Sequence, residues 1–79
     1  HSFWLVTTKG RFYPDYVCQL VDGRILVVEY KGQHLWEAAR EKRIVGELWE
    51  ERSKGKCLFI MLTERNFGAI GQKVRRPLT

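Results

Sequence analysis

Three ionisable residues interrupt stretches that are otherwise apolar: Asp15, Glu29 and Lys31. Asp15 follows Pro14 at the start of one strand-like run. Glu29 and Lys31 close the next run two residues apart, and so share one face of a strand. Two carboxylates held side by side repel, and a hard divalent cation relieves the repulsion by accepting oxygens from both. Mg²⁺ there, or Mn²⁺ in its place, would keep several waters, polarise a phosphate and lower the pKa of an attacking water. A lysine two residues on would orient or deprotonate that water, or offset charge developing around phosphorus. The backbone carbonyl of Tyr30, between the Glu29 and Lys31 side chains, is a further candidate metal ligand. The same residues also have a plain structural reading. Pro-Asp is a common turn at a strand start, and Glu-x-Lys at a strand end is often a solvated ion pair. Burial weighs toward a site, because a charge in a strand apolar on both faces is costly unless paired or used.

The elements must bring these residues together. Residues 3–8 are rich in aromatic and β-branched types and predict a strand closed by Lys9-Gly10; residues 12–20 predict a second, with Pro14 near its start. Residues 24–31 predict a third, central strand covered on both sides. The hairpin between the second and third carries Asp22-Gly23, and its loop length decides the chemistry. A two-residue turn pairs Val21 with Arg24, puts Asp15 opposite Tyr30 and sends Glu29 to the other face. A three-residue loop, a type I turn plus a glycine bulge, pairs Leu20 with Arg24, so that Asp15 faces Glu29 and Tyr13 faces Lys31. A metal site requires the second register. The first would favour a small β-rich interaction domain.

After Gly32-Gln33-His34 the period becomes helical from Leu35 to about Arg52. Leu35, Ala38, Val45, Leu48 and Trp49 form one stripe, and Glu41, Glu47, Glu50 and Glu51 lie mostly outside it. Gly46 in mid-helix predicts close packing against the sheet, and Gly55 a left-handed helix cap. Residues 57–62 predict a buried strand. Asn66 could cap a short last helix that Pro77 stops. The expected order is β-β-β-α-β-α, an α/β chain with a mixed sheet and one crossover.

Seventy-nine residues, 44% of them hydrophobic, suffice for one domain. Cys18 and Cys57 lie in apolar runs without the four-ligand clustering of zinc sites, and are expected as reduced core thiols. No apolar run approaches the ~20 residues that span a bilayer, so no membrane partner is expected. The first residues show no start Met and no signal peptide pattern, as in a chain cut from something longer. A net charge of +5 favours a polyanionic partner.

Phe12-Tyr13-Pro14-Asp15, Asp22-Gly23-Arg24 and Val28-Glu29-Tyr30-Lys31-Gly32 together resemble the Pro-Asp…(Asp/Glu)-x-Lys nuclease superfamily. With Glu41-Lys42-Arg43-Ile44-Val45-Gly46-Glu47-Leu48-Trp49 and Cys57-Leu58-Phe59, the chain is similar to the C-terminal endonuclease domain of type III restriction enzyme Res subunits, from about Ser2 to Met61. The resemblance implies a restriction-endonuclease-like fold over residues 1–79 as one nuclease-core domain, with the first core helix preceding His1. It implies Mg²⁺-dependent hydrolysis of double-stranded DNA, with Asp15 and Glu29 as metal ligands and Lys31 as catalytic lysine. It further implies a parent enzyme with an ATP-dependent helicase-like motor in the same chain, ATP being bound there and not by this fragment. A methyltransferase or specificity subunit would be a partner, in the cytoplasm of a bacterium or in a phage-related system. The isolated fragment could then be inactive. A rival reading is a non-catalytic module of the same fold that binds nucleic acid or a partner protein.

Four helix residues have two readings each. Arg40, Lys42 and Arg43 could track a DNA backbone, or pair with Glu37, Glu41 and Glu47 at helical spacing. Glu47 could support the site from behind its ligands, or be an exposed helix acid. His34 is expected in a partly exposed loop, and Trp36 and Trp49 in the core or an interface. Arg75-Arg76 are expected as a basic tail.

Overall fold

The computed structural model describes residues 3–64 and 66–75. Its elements are β1 (Leu5–Thr7), β2 (Gly10–Phe12), β3 (Tyr16–Gln19), β4 (Ile25–Tyr30), α1 (Arg40–Arg52), β5 (Cys57–Leu62) and α2 (Ala69–Val74). Strands β3, β4 and β5 form a mixed sheet in that order, with β3 antiparallel and β5 parallel to β4. Strands β1 and β2 form a separate two-stranded hairpin. The chain is thus a small mixed α/β domain. His1, Ser2, Arg76 and Pro77, with the helix stop expected there, lie outside the described residues.

The run expected as one strand over residues 12–20 is two strands. The break falls at Tyr13-Pro14-Asp15, because proline cannot donate a ladder hydrogen bond and Asp15 spends its carboxylate on a backbone amide instead. β2 therefore turns away from β3 to pair with β1.

β4 is covered on both faces, as its composition requires. One face packs Val27 with Phe59 and Met61 of β5, Leu5 and Phe12 of the hairpin, and Ala39 at the entry to α1. The other packs Leu26 and Val28 with Leu58, Ile60 and Leu62, roofed by Ala69, Ile70 and Val74 on α2. Each fully buried side chain of this size contributes about 1.5–3 kcal/mol relative to exposure. Gly46 is where α1 meets the sheet: a Cβ there would lie 2.5 Å from three atoms of the Phe59 ring.

The helical segment begins later than its period suggests. Residues 33–35 and 37–39 form 3₁₀ turns, and regular α-helix starts at Arg40. The Arg43 guanidinium stacks on the Trp36 ring and donates to the Trp36 carbonyl, which also accepts the Ala39 N–H at 3.2 Å in a 3₁₀ bond. The apolar stripe is correspondingly displaced. Leu35 and Leu48 are exposed, and the inward positions are Ala39 and Gly46, with Val45 and Trp49 half-buried against the core.

Glu50 faces inward, against the expectation that it lies outside the stripe. It accepts the Phe59 N–H at 2.7 Å and pairs with Lys73 of α2 at 2.8 Å; Lys73 also donates to the Phe59 carbonyl at 2.7 Å. Ser53 serves Cys57 and Asn66 serves Thr63 in the same way, so side chains satisfy much of the outer edge of β5. Asn66 therefore caps backward onto Thr63, and α2 has no side-chain cap. Lys54 and Gly55 end α1 in the left-handed region. The cysteines are free, but Cys18 is exposed on β3 rather than in the core.

Candidate active site

The β3–β4 hairpin has the three-residue loop. Leu20 donates to the Arg24 carbonyl at 2.8 Å, Gly23 donates to Leu20 at 2.9 Å, and Gly23 holds φ at +94°, a conformation that favours glycine. Gln19 pairs with Ile25 and Tyr16 with Val28, a register that sets Asp15 opposite Glu29. Arg24 stabilises the loop from a buried position, bonding both Asp22 oxygens and reaching the Val74 carbonyl of α2.

The two carboxylates bind each other's backbone. Asp15 Oδ2 accepts the Tyr30 N–H at 2.8 Å, and Glu29 Oε1 accepts the Asp15 N–H at 3.0 Å. Pro14, opposite Tyr30 in this register, has no N–H to give the Tyr30 carbonyl. Glu29 is only 4% exposed although it ends a strand. Its second oxygen, Oε2, faces Lys31 Nζ at 3.7 Å and Lys42 Nζ at 4.0 Å. Burial, and then the nearby Asp15 carboxylate, push the Glu29 carboxyl above its ordinary value; the Asp15 N–H and the two lysines offset this only in part.

Each carboxylate thus commits one oxygen to an amide and keeps the other. An all-oxygen donor set with a buried, under-compensated carboxylate fits a hard divalent cation. Mg²⁺ characteristically takes one or two carboxylates together with waters and substrate phosphate. Among the described residues no three His, Cys, Asp or Glu side chains converge as a metal-holding group, and the site has only these two carboxylates.

The other sequence candidates divide. Lys42 joins the site: its ammonium lies 4.9 Å from the centre of the Phe12 ring and beside Glu29. Arg43 does not, being held by Trp36 and by Glu37 at 3.8 Å with its side chain 15% exposed, which leaves little to offer a DNA backbone. Arg40 and Glu47 are exposed on α1, and His34 is exposed in the turn before it. Trp49 packs edge-on against Phe3, and Trp36 carries Arg43, so neither is an open stacking platform. In sequence, Lys42 is one of three equivalent helix cations. Its helical offset from the inward Gly46 was the available signal that it points at the sheet. Glu41 is not distinguished in sequence, yet it anchors the β1–β2 hairpin by accepting the Thr8 N–H at 2.6 Å and its hydroxyl at 2.8 Å.

No described helix is long and apolar enough to cross a membrane. Compared with protein-family models, curated proteins and solved structures, the chain gives no match.

Proposed function

We propose that this chain is the core of a metal-dependent endonuclease of restriction-endonuclease-like fold that hydrolyses double-stranded DNA within a larger, helicase-linked enzyme of the type III restriction kind. The observation that carries the reading is the pairing of Asp15 with Glu29 at the end of a buried central strand, with Lys31 on the same carboxylate.

Asp15, Glu29 and the Tyr30 carbonyl would hold Mg²⁺, or Mn²⁺ in its place. That ion supplies Lewis-acid polarisation of the phosphate and a water of lowered pKa. Lys31 orients the attacking water or takes its proton, and its charge offsets the negative charge growing on the phosphate oxygens. The water oxygen bonds to phosphorus, the P–O ester bond to the leaving sugar breaks, the departing sugar oxygen takes a proton from solvent water, and the phosphate stays on the other strand end. The reciprocal amide bonds fix the carboxylates before substrate arrives, so little reorganisation is needed at the moment of reaction. ATP would act only through the parent enzyme's motor, and a methyltransferase or specificity subunit would choose the target.

The test is cleavage of a labelled duplex by the full-length protein with Mg²⁺, with Mn²⁺ and with chelator. Metal-dependent cutting that falls by about 10²-fold or more in Lys31→Ala is expected for a residue handling the proton. Cutting unaffected by Lys31→Ala and by Asp15→Asn would sink the proposal.

One observation favours a second reading. Lys31 and Lys42 both face Glu29, and the amide bonds of Asp15 and Glu29 stabilise the hairpin without any metal ion. A nuclease-fold module that binds nucleic acid or a partner protein without cutting would have this arrangement and show no metal response.

A further inference from the structure

Lys31 directly follows β4 and Lys42 is the third residue of α1, yet both ammonium groups face one oxygen of Glu29. At 3.7 and 4.0 Å neither contact is a hydrogen bond, so Glu29 holds both charges by ion pairing alone. Sharing that oxygen keeps the two Nζ atoms within about 8 Å of each other, a span one phosphate can bridge by charge-assisted bonds of ~2.8 Å on either side. A cleft of about 100 Å³ lies between them, lined by Lys31, Lys42, Leu35, Ala38 and Ala39. Its floor is apolar and its two polar walls are both cationic, which suits an anion and not a metal. The Lys42 side chain is 38% exposed and its ammonium lies over the Phe12 ring, so the charge is placed by a cation–π contact and remains accessible.

We infer that Lys42 is a phosphate-binding residue of the site, forming with Lys31 a two-lysine clamp on a nucleic-acid phosphate in the cleft beside Glu29. The inference rests on the proposed nuclease reading for the identity of the anion, a backbone phosphodiester. The roles of the two lysines differ. Lys31, on the strand that carries Glu29, serves the chemistry in that reading; Lys42, reaching the same cleft from α1, serves binding.

Duplex binding by the full-length protein, followed by fluorescence anisotropy in Ca²⁺ over a salt series, tests this. Lys42→Gln is expected to weaken binding about tenfold and to reduce the slope of log affinity against log salt by about 0.9, the loss of one phosphate contact. Lys42→Arg, which keeps the charge, should restore most of the affinity. In Mg²⁺ turnover, Lys42→Gln should raise KM more than it lowers kcat, and Lys31→Ala the reverse. Unchanged affinity and slope in a folded Lys42→Gln protein overturn the inference. Should that variant not fold, NMR of the unmutated protein decides: a saturable shift of the Lys42 ε-methylene signal on adding duplex supports the clamp, and its absence refutes it. A protein that never cuts but loses affinity through Lys42→Gln keeps this inference and loses the nuclease reading. One that cuts and ignores Lys42→Gln does the reverse.

Discussion

Replacing Gly46 by alanine sets two known effects against each other. In mid-helix, alanine is favoured over glycine by about 1 kcal/mol, so propensity alone makes Gly46→Ala stabilising. Packing points the other way. The new Cβ would sit 2.5 Å from Cδ1, Cδ2 and Cε1 of Phe59, over the face of the ring. Carbon atoms pack at about 3.5–4.0 Å, so helix and ring must part by roughly 1 Å. The ring cannot yield easily: Phe59 is 2% exposed and Phe12 meets it edge-on, with centroids 6.4 Å apart. Overpacking a filled core typically costs about 1–3 kcal/mol. The net expectation lies between no gain and a loss of about 2 kcal/mol, up to roughly 15 °C in Tm for a domain of this size. Urea denaturation followed by circular dichroism measures it. The cycle with Phe59→Leu assigns the cause, since in that background Gly46→Ala should become neutral or stabilising. A single Gly46→Ala variant more stable than the parent would refute the close approach of α1 to β5, and with it the placement of Lys42.

Other perturbations follow the same logic. Arg24→Met strips the hairpin loop of a buried cation bonded to Asp22 and to the Val74 carbonyl, and should cost about 2 kcal/mol in denaturant unfolding; an unchanged midpoint would contradict the contact. Glu29→Gln should stabilise the metal-free protein at neutral pH. Because the folded carboxyl is raised, the parent's disadvantage grows as pH rises through that value and vanishes below the unfolded value near 4.5, so Tm differences that widen on acidification would refute it. Glu41 runs the opposite way. Thr8 holds its carboxyl below the ordinary value, so the anchoring of the β1–β2 hairpin should be present above pH 4.5 and fade as pH falls through the folded value, read as a falling protection factor of the Thr8 amide relative to its intrinsic exchange rate. In Glu41→Gln that pH dependence should disappear.

The sequence carried the site further than it carried the fold. Asp22-Gly23 with alternating apolar neighbours was enough to pose the register as a choice between two loops. The structure has the one that pairs Leu20 with Arg24 and sets Asp15 against Glu29. The β4 and β5 runs and the reason for Gly46 were equally open to sequence reading, because buried parallel strands and a glycine in a helix each have few causes. What escaped depended on partners distant in sequence. Pro14 could be seen as a tolerated strand proline; that β2 would leave the sheet there depends on β1 being available to pair with it. Glu50 looks like any helix acid until Lys73 and the unpaired edge of Phe59 come alongside. Arg43 and Lys42 are adjacent and chemically alike, yet Trp36 holds one while Glu29 and Phe12 orient the other. Periodicity cannot separate them, because the helix enters through 3₁₀ turns that rotate its face.

The central claim is that Asp15 and Glu29 form one cation site, and Mn²⁺ reports on it directly. Substoichiometric Mn²⁺ broadens NMR signals of nuclei near where it binds. Selective loss of the Asp15, Tyr30 and Lys31 amide signals is expected, reversed by excess Mg²⁺ and absent in Asp15→Asn and in Glu29→Gln. Broadening spread evenly over the surface acids, or the same local pattern in both variants, would contradict the site.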